Sequence, residues 1–214
     1  MKILVCGDSF CVTDPDYPGL HWSEKILNSS SNFELCNLSV GGASNALIAI
    51  QLMQGLKLKP DFVILSFTNE HRYEKDNNID AMPYDLSVDS ISEYLKERYS
   101  SNPGANMPAS AMLSTNLEKI KNYFYIVFCL QILKEKQINF CFSLGGFEFK
   151  QDYSAFINSN FMENLIIDFK GQELLTNLWY YINNKNRPYF HVDNESVQRL
   201  FANQCLSHIG KVEQ

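Results

Sequence analysis

The feature that most narrows the fold is an alternation of short apolar, β-rich runs with helical stretches across the first 67 residues. Ile3-Leu4-Val5-Cys6, within a strand predicted over Lys2–Cys6, stops at Gly7-Asp8-Ser9, residues that favour turns and helix caps. A short helix is predicted over Leu20–Asn28, with Trp22, Ile26 and Leu27 available for burial. A second strand is predicted over Phe33–Leu38, followed by the loop Ser39-Val40-Gly41-Gly42-Ala43-Ser44-Asn45. Ser44 or Asn45 can cap a helix running from Ala46 to about Leu58, where Pro60 ends it. Asp61–Phe67 is almost wholly apolar, as a central parallel strand covered on both faces has to be. Strand, helix, strand, helix, strand in this order is the signature of a doubly wound α/β sheet. Ligands in such sheets sit at the carboxyl ends of the strands. Ser9, the Gly42 loop and Asn69 each follow a predicted strand, so parallel neighbours would bring them to one edge.

After Phe67 the pattern breaks. Residues 71–113 read as an insertion: His71 to Pro108 is polar and rich in Asn and Pro, with one helix predicted over Val88–Arg98. A connection this long at the ligand edge is either a lid or decoration. Thr115-Asn116-Leu117-Glu118 fits a capping box and opens a long helix to about Lys136. Its Leu117, Ile120, Phe124 and Val127 recur at helical spacing and are read as a core face. A fourth strand is predicted over Ile138–Leu144, a helix over Gln172–Ile182 and a last helix over Asn194–His208, with Val197, Leu200, Phe201 and Cys205 facing inward. No repeat or linker divides the chain, so residues 1–214 are expected to form one domain.

Composition excludes several classes. A net charge of −6 and a pI near 5.2 argue against nucleic acid as a partner. No apolar stretch reaches the roughly 18 residues of a membrane span. Met-Lys followed by four apolar residues is too short for a signal-peptide core, so a cytoplasmic protein is expected. The six cysteines show no Cys-x-x-Cys spacing and read as reduced, mostly buried thiols. No pair of histidines shares an i, i+4 face with a carboxylate, and no Gly-x-Gly-x-x-Gly or P-loop string is present. Neither a metal nor a cofactor is expected, which also weakens a flavodoxin-like nucleotide or phosphate binder.

Serine hydrolysis needs a nucleophile, a base for its proton and donors aimed at the developing oxyanion. Ser9 can be the nucleophile. Its own N–H, a backbone N–H at Gly42 and the Asn69 side chain can supply donors, and a glycine lets a substrate approach its amide closely. Among the histidines, His191 precedes the last helix, whereas His21 at a helix start and His208 at a helix end read as structural, the latter position suiting a positive charge.

With these residues in place, the sequence resembles the SGNH hydrolases, also called GDSL esterases and lipases. Gly7-Asp8-Ser9 matches their first block, and Asn37-Leu38-Ser39-Val40-Gly41-Gly42 looks like their second, with Gly42 at the oxyanion-donor place. Phe67-Thr68-Asn69-Glu70 keeps the Asn of the third block, with Phe and Glu where the family has Gly and Asp. Pro188-Tyr189-Phe190-His191 keeps the His of the last block, with Pro188 where the family has the triad Asp. The resemblance covers about the first seventy and the last twenty-five residues. It implies a three-layer α/β/α flavodoxin-like sheet, mainly parallel, and an esterase in which Ser9 attacks, His191 is base and then acid, and Ser9, Gly42 and Asn69 hold the oxyanion. Asp8, His71 and Arg72 are candidate substrate-binding residues, the last two also fitting the start of the insertion. Asp193 either takes the place of the missing acid or caps the last helix. The implied partner is a small-molecule ester or an acylated carbohydrate; no oligomeric state follows from the sequence. The departures at Glu70 and Pro188 also fit a binding or scaffold protein that kept the sheet and lost the triad.

Overall fold

The computed structural model describes residues 1–13, 18–41, 43–68, 116–144, 159–166 and 195–211, and only the backbone of 116–119 and 197. Four strands, β1 (Lys2–Cys6), β2 (Glu34–Asn37), β3 (Phe62–Ser66) and β4 (Asn139–Ser143), form one sheet in the order β2-β1-β3-β4. Every pairing is parallel, with Leu4 opposite Cys36 on one side and Val63 on the other, and Val63 opposite Phe140. The α-helices among the described residues are α1 (Trp22–Ser29), α2 (Asn45–Gly55), α3 (Asn116–Glu135) and α4 (Glu195–Ile209).

The strands are apolar on both faces because helices cover both. Leu4, Cys6, Val63, Leu65, Phe140 and Phe142 pack with α2 and α3, through Leu47, Ile48, Leu52, Ile126, Leu130 and Leu133. The alternate residues Ile3, Val5, Phe62, Ile64 and Cys141 pack on the other face with α1 and α4, through Trp22, Ile26, Phe201 and Cys205. Period-2 alternation along a strand produces this division. The result is the three-layer α/β/α arrangement expected from the sequence. The order reverses between β1 and β3, one going out to β2 and the other to β4, so the sheet's switch point, where such folds bind ligands, lies between the loops after β1 and β3.

Contacts set the element boundaries. Ser44 is the N-cap of α2, its hydroxyl accepting from Leu47 N at 3.2 Å. At the other end α2 gives way to a 3-10 turn, Leu56–Leu58, and stops at Lys59, whose φ of 51° is left-handed, just before Pro60. Near that end the helix comes down onto β1: a Cβ on Gly55 would sit 2.4 Å from Leu4 Cδ2.

Two predicted core faces differ from what the structure holds. Leu27 of α1 is exposed, whereas Trp22, Ser23 and Ile26 are buried. On α3, Ile120 and Phe124 are exposed and Val127 is half-buried, while Asn122, Ile126, Cys129, Leu130 and Leu133 face the sheet. This helix is apolar over much of its circumference, so spacing alone selects two faces equally well; contact with α2 and the sheet chooses between them. In α4, Phe201 and Cys205 are buried as predicted and Leu200 is half-buried. Burial, and then neighbouring Lys211, push the pKa of His208, in the last turn of α4, below its ordinary value, against the positive charge its position invites. The insertion 71–113, the helices predicted over Val88–Arg98 and Gln172–Ile182, and Thr115 lie outside the described residues.

Candidate active site

Ser9 begins a 3-10 turn, Ser9–Cys11, directly beyond β1. From Ile3 to Cys11 every residue is buried except Ser9. The turn thus leaves one hydroxyl-bearing residue partly exposed and buries what surrounds it.

Its backbone is held at almost every polar group. Asp8 caps it, its Oδ1 accepting from Phe10 N at 3.0 Å and its carbonyl from Cys11 N at 3.0 Å. Val12 N donates to Ser9 O at 3.4 Å, and Asn37 Nδ2 donates to Cys11 O at 2.6 Å. The Phe10 carbonyl accepts from His21 Nε2 at 3.1 Å and from Trp22 Nε1 at 3.0 Å. Among the described residues, none accepts a hydrogen bond from Ser9 N–H.

The turn is registered against the two neighbouring loops by side chains of α2. Gln51, fully buried, accepts from Gly7 N at 2.8 Å and donates to Gly7 O at 3.1 Å. Val40 N, in the loop after β2, donates to the same carbonyl at 3.2 Å. Asn45, also fully buried, accepts from Thr68 N at 2.8 Å and donates to Thr68 O at 2.9 Å and to Asn122 Oδ1 at 3.0 Å. Thr68 Oγ1 donates to Asp8 Oδ2 at 2.8 Å, closing a chain from the Ser9 turn through the loop after β3 to α2 and α3. Burial makes such a network rigid once its groups are satisfied. The loop after β2 is close as well: a Cβ on Gly41 would lie 3.9 Å from Ser9 Cβ.

Beneath the turn, space is exhausted. A Cβ on Gly7 would meet Cys11 Sγ at 2.4 Å and Ser66 Cβ at 3.2 Å, which is why glycine stands there. Burial, and then the Asp8 carboxylate, push the Cys11 thiol far up, against the hydroxyls of Ser66 and Ser39, so this sulfur is an inert filler. All six cysteines are free, five of them buried.

Of the residues singled out from the sequence, Ser9 and Asp8 fall within the described structure. Gly42, Asn69, His71, Arg72, Pro188, His191 and Asp193 lie outside the described residues. Asp8 is 1% exposed and its two carboxylate oxygens face Phe10 N and Thr68, so it builds the turn from within. Asn45, Gln51, Thr68 and Asn122 were not anticipated. Two of them carried a signal: Asn45 and Gln51, with Gln54, are the amides of a helix whose other residues are apolar, and a buried amide calls for hydrogen-bond partners. No cluster of three or more His, Cys, Asp or Glu among the described residues could hold a metal ion. No helix among them is long and apolar enough to cross a membrane.

Several solved structures share this arrangement. TesA superposes with a TM-score of 0.55 at 10% identity, covering 99% of each chain. A lipolytic protein of the G-D-S-L family from Veillonella parvula gives 0.51 at 13% identity over 96% of each chain. The fold is that of the G-D-S-L esterases. The acetyl xylan esterase AlAXEase is similar too, with a TM-score of 0.52 at 14% identity, covering 98% of this chain and all of that one. No family model and no curated protein matches the sequence. At these identities the likeness lies in the G-D-S-L architecture, and the chemistry has to be argued from this chain's own residues.

Proposed function

We propose that the protein is a divergent member of the SGNH hydrolases, a serine esterase acting on a small carboxylic ester such as an O-acetyl group on carbohydrate. The observation that carries this reading is the isolation of Ser9: the single non-buried residue between Ile3 and Cys11, on a braced turn at the sheet's switch point. Ser9 Oγ attacks the ester carbonyl. His191 takes the proton and returns it to the leaving alcohol. Ser9 N–H, left without an acceptor among the described residues, is one oxyanion donor; Gly42 N–H and the Asn69 side chain are the others. Asp8 acts as a positioning residue, in place of the substrate contact expected from sequence. His71 and Arg72 remain candidate substrate contacts, and residues 71–113 an insertion in one domain spanning the chain. The acetyl xylan esterase among the similar structures supports an acylated carbohydrate as the substrate class. EstA from Pseudoalteromonas sp., with a TM-score of 0.50 at 12% identity over 99% of this chain, is inhibited by monoethylphosphonate, which supports phosphonates as probes. The free state of all six cysteines supports a reducing, cytoplasmic setting.

The test is phosphonate labelling with adduct mapping, beside turnover of p-nitrophenyl acetate and acetylated xylose by wild type, Ser9→Ala and His191→Ala. The reading requires an adduct on Ser9 and loss of turnover in both variants, by roughly 10⁴-fold or more. A folded wild type that takes no adduct and turns over no ester leaves the scaffold alternative standing.

A further inference from the structure

We propose that His21 and Trp22 are positioning residues for the nucleophile: together they grip the Phe10 carbonyl and fix the turn that carries Ser9 against the last helix. The inference rests on the reading of Ser9 as nucleophile and deepens it.

The argument starts from the Phe10 carbonyl. It lies in the turn beside Ser9, and two hydrogen bonds reach it from the start of α1, His21 Nε2 at 3.1 Å and Trp22 Nε1 at 3.0 Å. An indole N–H can only donate. The imidazole is committed as well. Its Nδ1 accepts from Ser23 N at 3.2 Å and lies 2.7 Å from Ser23 Oγ, so the ring proton sits on Nε2 and points at Phe10 O. Burial holds the ring neutral, with its pKa pushed down to about 4 against the opposing pull of the Phe10 carbonyl and Glu24. Glu24 closes the cap by accepting from His21 N at 3.1 Å. Capping α1 alone would need one side-chain acceptor; the second nitrogen and the indole are aimed elsewhere, at the nucleophile turn.

Trp22 carries the connection onward. Its N–H donates to Gln198 Oε1 of α4 at 2.9 Å, and its ring packs edge-on against Phe201 of α4 with centroids 4.8 Å apart. The helix it grips begins four residues after His191. One residue therefore contacts both the turn bearing the proposed nucleophile and the helix that follows the proposed base. Productive attack demands that such groups hold their geometry within a fraction of an ångström, and a displacement of about 1 Å costs on the order of 10²-fold. Two donors on one carbonyl restrict the turn at the point where a shift would move Ser9 Oγ.

The experiment uses the full chain as wild type, Trp22→Phe, His21→Leu and His21→Gln. Trp22→Phe keeps an aromatic ring and deletes the indole N–H; His21→Gln restores both an N–H donor and an acceptor. Active sites are counted by fluorophosphonate titration, kcat and KM for p-nitrophenyl acetate are expressed per titrated site, and hydrogen exchange is followed at the Cys11 and Val12 amides. Trp22→Phe should lower kcat about tenfold and His21→Leu further, with KM within about twofold of wild type, and exchange at both amides should accelerate. His21→Gln should recover most of the loss. Variants that melt earlier yet keep wild-type kcat per titrated site and unchanged exchange overturn the proposal, leaving α1 a purely structural cap. A wild type that takes up no phosphonate and turns over no ester overturns the Ser9 reading instead, and this inference with it.

Discussion

Adding one methyl beneath the Ser9 turn tests how tightly it is built. In Gly7→Ala the new Cβ falls 2.4 Å from Cys11 Sγ, 3.1 Å from Cys11 Cβ and 3.2 Å from Ser66 Cβ. Non-bonded carbons rest at roughly 3.5–4.0 Å, so the sulfur has to retreat by about 1 Å. It has nowhere to go: Cys11 is 1% exposed and lies against the Ser66 and Ser39 hydroxyls. Gly7 does not have a left-handed φ, so the penalty is steric and adds no backbone strain. Overpacking of this kind costs about 1–3 kcal/mol, and the lower entropy of an unfolded alanine returns about 0.4–1 kcal/mol, leaving a net loss of about 1–2 kcal/mol. Removing the sulfur in Cys11→Ala should relieve the worst contact. The double variant should therefore be more stable than the sum of the singles by about 1 kcal/mol, read from urea unfolding of all four proteins by circular dichroism. Additivity within about 0.5 kcal/mol, or a neutral Gly7→Ala, would refute the packing argument.

Four further outcomes are expected. Thr68→Val removes the hydroxyl that donates to Asp8 Oδ2 while keeping shape; urea unfolding should show a loss of about 1–3 kcal/mol, and a neutral result would deny the network its bracing role. His21 makes stability fall with acid. Its pKa is 6.5 unfolded and about 4 folded, so between these values the unfolded chain holds the extra proton and unfolding becomes easier as pH drops. The contribution is complete above pH 6.5 and about 3 kcal/mol is gone by pH 4, with Glu24 the titratable neighbour; His21→Gln should flatten this part of a urea-midpoint profile, and equal slopes would contradict it. Asn69→Ala should lower kcat for p-nitrophenyl acetate about 10²–10³-fold with little change in KM, as loss of an oxyanion donor does. Asp193→Asn should leave that kcat within about threefold if the residue is only a helix cap, since Asn caps as well as Asp, whereas a loss of about 10⁴-fold would make it the missing acid.

The sheet was legible because its evidence is local. A continuous apolar run covered on both faces can only be an inner strand, and Lys2–Cys6 agrees to the residue while the others agree within one or two. The outer face of α3 was not legible. Ile120 and Phe124 lie on a helical stripe as regular as that of Ile126, Leu130 and Leu133, and periodicity cannot say which stripe meets the sheet. Ser9 could be chosen from its place after β1, but the role of Asp8 could not, since it depends on Thr68, sixty residues away in sequence and hydrogen-bonded in space. Trp22 was predicted as core and is core; its N–H toward Phe10 is what the sequence hides.

Asn45 and Gln51 lie about one and two-thirds turns apart on a single rigid rod, and each holds the N–H and the C=O of one residue in a different loop. The gap between those loops is thereby written into helical pitch instead of loop length. Residues farther along the loops can change in number or composition while the distance between the first and third strand ends stays constant. Such a gauge uncouples what the loops carry from the spacing of the strand ends that bear them.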